Sequence, residues 1–340
     1  MRHLVIAAAA LMGLLALTGA PWQASQRAQN DHVFLFAYFL DNGQSGVHLA
    51  ISRNGLLFEG VNDHRPILPA PEWPGEDLTR DPSLFFHEGT FHLVWTTGWW
   101  TRSIGYASSG DLVTWSAPRK IAVWPEAIEG VRNTWAPELH WDSEREEFFV
   151  LFSSTLESEL NDGDDSEDPH GLDHRIYVIR TRDFKDFTTP ELFYAPVPEH
   201  GVIDAQVARD DRGTPEADDD RFVMVIKNEM GPESGGKNLR LAFAEHAQGR
   251  YPKRLGRAIV GSESEIVNQM AEGPSLLKVA DEWRLYFDAP GRGYGLATSP
   301  DLRNWTDRSH ELRFPVRHPR HGSVIAVPPA AVGWVARGIR

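Results

Sequence analysis

One phrase recurs five times along this chain. "IGYASSGDLVTWSAP" begins at Ile104 and "YGLATSPDLRNWTD" at Tyr294, and looser versions begin at Gly46, Ile176 and Leu239. Each joins a short alternating stretch, which reads as a β-strand, to a polar turn and then an aromatic: Phe58, Trp115, Phe187, Tyr251 and Trp305. Recurrence every ~55–70 residues with this content points to a radially repeated β-architecture. A second series precedes four of the phrases, starting at Arg80, Ala136, Ile203 and Glu272, and each of its members reads as a hairpin. Hairpin, phrase strand and outer edge make a four-stranded unit. The fifth unit must be assembled from both ends of the chain, with "HVFLFAYF" at His32 and "GVHLAIS" at Gly46 joined by "HGSVIAV" at His321. That junction closes the ring and removes free sheet edges. The expected fold is all-β: a five-bladed β-propeller forming a single domain over residues 31–340.

The rest of the sequence bounds what such a ring can do. A formal net charge of -14 makes a polyanion such as nucleic acid an unsuitable partner. Trp occurs 12 times, more than packing usually needs, and flat sugar faces are a common use for exposed indoles. Arg2 and His3 precede an apolar run over residues 4–17, followed by Thr18, Gly19 and Ala20. That layout predicts an export signal over residues 1–28, cleaved between residues 20 and 31, and a secreted or periplasmic protein. The run is too short to serve as a membrane anchor. With no Cys, neither a lipid-bearing Cys nor a disulfide framework is available. Oligomeric state is not readable. The acidic stretches 157–173 and 210–220 fall between strands and read as solvated insertions, without the ligand spacing of an EF-hand loop.

The first polar residue of each inner strand is the chemical signal. In chain order these are Asp81, Glu138, Asp204 and Glu272, with His321 for the composite unit. In a propeller these strand starts open at one face of the central channel, so four carboxylates and an imidazole should converge. Like charges brought together cannot all ionise cheaply, so at least one carboxyl should hold its proton unusually well. Carboxyls with separated pKa values are what acid/base hydrolysis of a glycosidic bond requires. An acid at a strand start also serves to cap a turn or to meet a neighbouring Arg, a part open to Arg80 and Arg240. Arg240 is retained as a substrate-binding candidate. Trp99 and Trp135 are candidates for stacking on a sugar face, and Lys227, in "VIKNE", for binding a hydroxyl or carboxylate. Glu138 is either a hydroxyl ligand or a structural partner.

Taken together, "TRDPSLFF", "TWAPELHWD", "VIDAQV", "EGPSLL" and "RHGSV" resemble the motifs of glycoside hydrolase family 43. The resemblance runs over nearly the whole chain after the leader. It implies a five-bladed propeller of the arabinofuranosidase and xylosidase type that works by inversion with three acids. By motif, Asp81 in "RDPS" resembles the general base. Glu272 in "EGPS" resembles the general acid, and Asp204 in "IDA" the residue that stays ionised and keeps that acid protonated. His321 in "RHGSV" resembles a channel histidine that touches a water cluster or a calcium ion in many members. Calcium near His321 is thus the cofactor the resemblance raises, although hydrolysis by two carboxylates requires none. About fifty residues lie between the leader and the base motif, an arrangement that marks a divergent branch. The resemblance implies removal of a terminal sugar, α-L-arabinofuranose foremost, from a plant-type polysaccharide or oligosaccharide. β-Xylosidase and β-galactosidase action on the same fold, and a non-catalytic carbohydrate-binding propeller, are the alternatives. The invertase-like propellers also carry "RDP", but this chain lacks their Asn-Asp-Pro setting.

Overall fold

The computed structural model describes residues 32–157, 172–197, 200–212, 220–231 and 235–333. The export signal, and all but the ends of the two acidic stretches, lie outside the described residues. Among the described residues the strands form five antiparallel sheets. Blade one runs outward from the axis as Arg80–His87, Thr90–Thr96, Ser103–Ser109 and Arg119–Ala122. Blade two is Trp135–Asp142, Glu147–Ser154, Arg175–Thr181 and Glu191–Tyr194. Blade three is Val202–Asp210, Arg221–Asn228, Asn238–Ala244 and Val260–Gly261, and blade four is Glu272–Val279, Glu282–Ala289, Gly293–Ser299 and Thr306–Asp307. Blade five is composite: Arg320–Val327 is innermost and pairs with Val33–Phe39, followed by Gly46–Ser52 and Glu59–Gly60. The fold is a five-bladed propeller closed by strands from both ends. Among the described residues no helix is long and apolar enough to cross a membrane.

The recurring phrase has a physical cause. Its strand is the third in every blade, and it ends in a turn built from a hydroxyl and an Asp or Asn. Asp111 Oδ1 accepts the N–H groups of Val113 and Thr114 at 2.9 and 2.7 Å, while Ser109 Oγ accepts that of Leu112 at 2.8 Å. Asp301 with Ser299, Asp183 with Thr181 and Asn54 with Ser52 repeat the pattern. These side chains satisfy backbone donors that a tight turn leaves open. The residue that follows adopts left-handed φ: 62° at Leu112, 57° at Phe184, 62° at Leu302 and 71° at Gly55. Blade three, with "EHAQG" in this place, departs from the rule.

Two shared glycines have a second cause. Gly105 pairs across the sheet with Trp95, and Gly295 with Phe287. A Cβ added at Gly105 would lie 1.9 Å from the Trp95 ring, and one at Gly295 would lie 2.2 Å from the Phe287 ring. The aromatic of the second strand lies flat across the glycine of the third. Gly105→Ala is therefore expected to destabilise the protein by about 1–3 kcal/mol, the usual cost of overpacking a filled core. Urea denaturation measures this, and an unchanged midpoint would contradict the packing.

Candidate active site

All five inner strands carry a one-residue bulge at the same place, their first turn into the channel. Between flanking pairs, two inner-strand residues face one of the second strand, within Arg80 to Ser83, Trp135 to Glu138, Ile203 to Gln206, Glu272 to Ser275, and Arg320 to Ser323. The second residue of the bulge has left-handed φ in four strands: 49° at Asp81, 48° at Ala136, 55° at Asp204 and 55° at Gly273. Bulges re-aim side chains, and left-handed non-glycine backbone is strain that its surroundings must hold in place. At Gly273 a Cβ would lie 2.5 Å from the His321 ring, so that position admits only glycine.

The bulge sorts the predicted site residues into levels. Glu272 sits at the first bulge position, alongside Arg80 and Arg320 in their own strands. Asp81, Asp204 and His321 occupy the second. Glu138 occupies the fourth, alongside Ser83, Gln206, Ser275 and Ser323. That fourth level laces the ring: Ser323, Ser83, Gln206 and Ser275 accept the backbone N–H of Leu84, Leu139, Leu276 and Val324 at 2.7, 3.1, 2.7 and 2.9 Å. Glu138 is buried there, accepts the Ser83 hydroxyl at 2.6 Å and stands off the pocket wall. Burial pushes its carboxyl up to about 7. It is a structural partner and not a substrate ligand. Arg240 is also corrected. Its third-strand position turns the guanidinium to Asn238 and the Gly256 carbonyl at 2.8 and 3.3 Å, away from the pocket.

The other predicted residues meet at a pocket of about 700 Å³. Asp81 Oδ2 accepts the Thr96 hydroxyl at 2.9 Å, and Thr96 Oγ1 accepts the N–H of Ala136 at 2.8 Å. His321 Nδ1 lies 3.4 Å from Asp81 Oδ1 and 3.9 Å from Asp204 Oδ2. Burial alone would lower this imidazole, but Asp204, Asp81, Glu138 and Glu272 outweigh it and raise its pKa. Asp204 Oδ2 accepts the N–H of Gly273 at 3.0 Å, clamping the backbone directly after Glu272. Lys227 Nζ donates to Glu272 Oε2 at 2.9 Å, and Arg320 Nη2 to Glu272 Oε1 at 3.0 Å. Trp99 and Trp135 meet edge to face at the pocket mouth with centroids 5.5 Å apart, and Trp100 lies 5.9 Å from Trp135. The indole N–H of Trp135 donates to the Trp99 carbonyl at 2.7 Å, and the Arg80 guanidinium lies 4.3 Å above the Trp99 ring.

The expected order of proton affinities is reversed. Burial alone would raise Glu272, but Lys227 and then Arg320 outweigh it and hold the carboxyl at about 2. For Asp204, burial dominates over the pull of His321 and Lys227 and raises its pKa. The two shifts thus run opposite to the expectation that Asp204 stays ionised and Glu272 protonated, and the Asp204 carboxylate bonds the Gly273 amide. Sequence reasoning also missed Arg320, Asp288, Glu229 and Lys237. Arg320 was in view as the first residue of "RHGSV", and Glu229 as the last of "VIKNE". Among the described residues no group of three or more His, Asp or Glu side chains is arranged to hold a metal ion.

Residues 30–332 match the model of a family of glycoside hydrolase 43-related domains, described as "Probable glycosyl hydrolase domain". No curated protein matches the chain. Among solved structures the chain is similar in fold to a thermostable family-43 glycoside hydrolase, at TM-score 0.54 and 16% identity, with 74% of this chain and 80% of that one covered. An α-L-arabinofuranosidase from Lactobacillus brevis matches at TM-score 0.48 and 20% identity, with 68% and 72% covered. A family-43 β-1,3-galactosidase with galactodeoxynojirimycin matches at TM-score 0.47 and 14% identity, with 74% and 76% covered.

Proposed function

The chain belongs to the glycoside hydrolase 43-related family, and on that premise we propose that it removes a terminal sugar, α-L-arabinofuranose foremost, from plant-type glycans with inversion at the anomeric carbon. The observation that carries this reading is the meeting of Asp81, Asp204 and Glu272 at one pocket with an indole wall at its mouth. Asp81 takes a proton from water, whose oxygen bonds to the anomeric carbon from one side. The glycosidic C–O bond breaks on the other side, and Glu272 gives its proton to the departing oxygen. Asp204 acts by position, holding the Gly273 amide so that Glu272 keeps its aim. His321 stands between Asp81 and Asp204 as the cation that lets both remain close. Trp99, Trp100 and Trp135 offer faces for the sugar or for the group it leaves.

The reading includes export, supported by the apolar run over residues 4–17 behind Arg2. The test is a panel of aryl arabinofuranoside, xyloside and galactoside assayed on protein from the exported fraction. Fastest turnover of the arabinofuranoside is expected, with the inverted anomer appearing first by NMR. No turnover of any member would sink the hydrolase reading, the retained anomer first would sink inversion, and protein confined to the cell interior would sink export.

A further inference from the structure

In three blades, the second-strand residue opposite the first bulge position accepts a backbone N–H from the next blade. Thr96 accepts from Ala136 at 2.8 Å, Ser153 from Asp204 at 3.3 Å, and Asp288 from His321 at 3.1 Å. Blade five has the apolar Phe39 at this place, opposite Arg320, and blade three has a charge. Lys227 stands there, paired with Ile203, and an ammonium cannot accept. The orphaned Gly273 amide turns to the Asp204 side chain instead. Lys227 is thus absent from the lacing of the ring, and its charge is buried. A buried ammonium persists only where carboxylates meet it closely.

Two carboxylates do so. Lys227 donates to Glu272 Oε2 at 2.9 Å and forms an ion pair with Glu229 Oε1 at 2.5 Å. Glu229 is itself buried, and its other oxygen lies 2.8 Å from Lys237 Nζ on the pocket wall. The other groups facing Glu272 are Arg320 from the composite blade, Asp204 from the neighbouring inner strand, Asp288 opposite it in its own blade, and His321. Arg320 too is shared, bonding Asp288 at 2.7 Å. Each cation on Glu272 therefore has a second carboxylate to go to.

We propose that Glu229 is a positioning residue for hydrolysis: it competes with Glu272 for Lys227, and by holding that ammonium it frees Glu272 to carry the proton given to the leaving oxygen. The inference rests on the reading of Glu272 as general acid. While Lys227 bonds Glu272, the carboxylate is favoured and no proton is available. When Lys227 moves its bond to Glu229 it keeps its own protons, and Glu272 is free to take one from solvent. Lys237 tunes the exchange, because the more it neutralises Glu229, the less Glu229 can draw Lys227 away.

The signs follow from charge alone. Glu229→Gln leaves Lys227 to Glu272, so Glu272 should titrate lower, by about one pH unit for one charge at this range. Lys237→Met strengthens the hold of Glu229 on Lys227 and removes a cation, so Glu272 should titrate higher. The test is carboxyl ¹³C NMR of Glu-labelled full-length protein, with the Glu272 signal assigned by its loss in Glu272→Gln. The alkaline limb of kcat/KM on an unactivated glycoside is read in parallel. Opposite shifts in the two variants, in both readouts, are the expected result. Should Glu229→Gln not fold, Lys237→Met alone decides by its upward shift. An unmoved Glu272 signal, or shifts of the same sign, would overturn the proposal. If instead the NMR shifts appear but Glu272→Gln still cleaves unactivated glycosides at the parent rate, the coupling stands and the assignment of Glu272 as acid, with the role of Glu229 in hydrolysis, falls.

Discussion

Asp81→Ala is expected to lower kcat/KM by about two to four orders of magnitude on every glycoside the protein accepts, whatever its leaving group. Every substrate needs an activated water, and the inverting reading gives that task to Asp81 alone. The carboxylate is well placed for it. Thr96 holds one oxygen, the His321 ring faces the other, and the left-handed backbone turns the side chain inward. That backbone calls for a control. Alanine tolerates φ near 49° less well than Asp or Asn does, so Asp81→Asn is the cleaner lesion. It should keep the parent melting temperature and lose the same activity. Steady-state rates on activated and unactivated glycosides decide the matter, and a loss confined to one class would remove Asp81 from the role of base.

Glu272→Ala should behave in the opposite way. Poorly leaving natural glycosides should lose about two to four orders of magnitude, while activated aryl glycosides, whose phenolate departs with little help, should be largely spared. The pH dependence is expected to be unusual for a proton donor. In the free protein Lys227 and Arg320 hold Glu272 at about 2, so its protonated fraction falls as pH rises from the acid side. Accordingly kcat/KM on unactivated glycosides should be greater at mildly acidic than at neutral pH. Lys227→Met removes a cation that favours the ionised form, so the alkaline limb should move to higher pH. A limb that stays in place or moves down would show that Lys227 does not set the proton affinity of Glu272.

The propeller was legible because a turn with strict demands recurs. Ser109, Asp111 and the left-handed Leu112 form a local device, and local devices leave local traces in sequence. So does the pairing of Gly105 with Trp95, once the strands are aligned. The carboxylates were legible by type and strand, but their depth was not. Counting to the first polar residue put Glu138 level with Asp81, whereas the shared register places it two residues farther in, level with Ser83 and off the pocket. In "TWAPELHWD" the level of Asp81 falls to the apolar Ala136. The proton affinities were hidden for a different reason. They depend on Lys227 and Arg320, which reach Glu272 from two other blades, and cross-blade register is not encoded in the spacing of any single motif. Arg240 shows the converse error: a cation chosen by type is turned away by its place on the third strand of blade three.

The innermost strand of the composite blade is also the last strand of the ring to leave the ribosome. Arg320 and His321 both ride on it. One is a cation on Glu272, and the other stands between Asp81 and Asp204. A chain halted before residue 320 carries the strands of four blades and all three acids yet lacks both groups, and Asp81 and Asp204 are then without the imidazole that stands between them. The pocket is therefore complete only when the strand Arg320–Val327 pairs with residues 33–39. In this ring, topological closure and completion of the pocket wall are the same step.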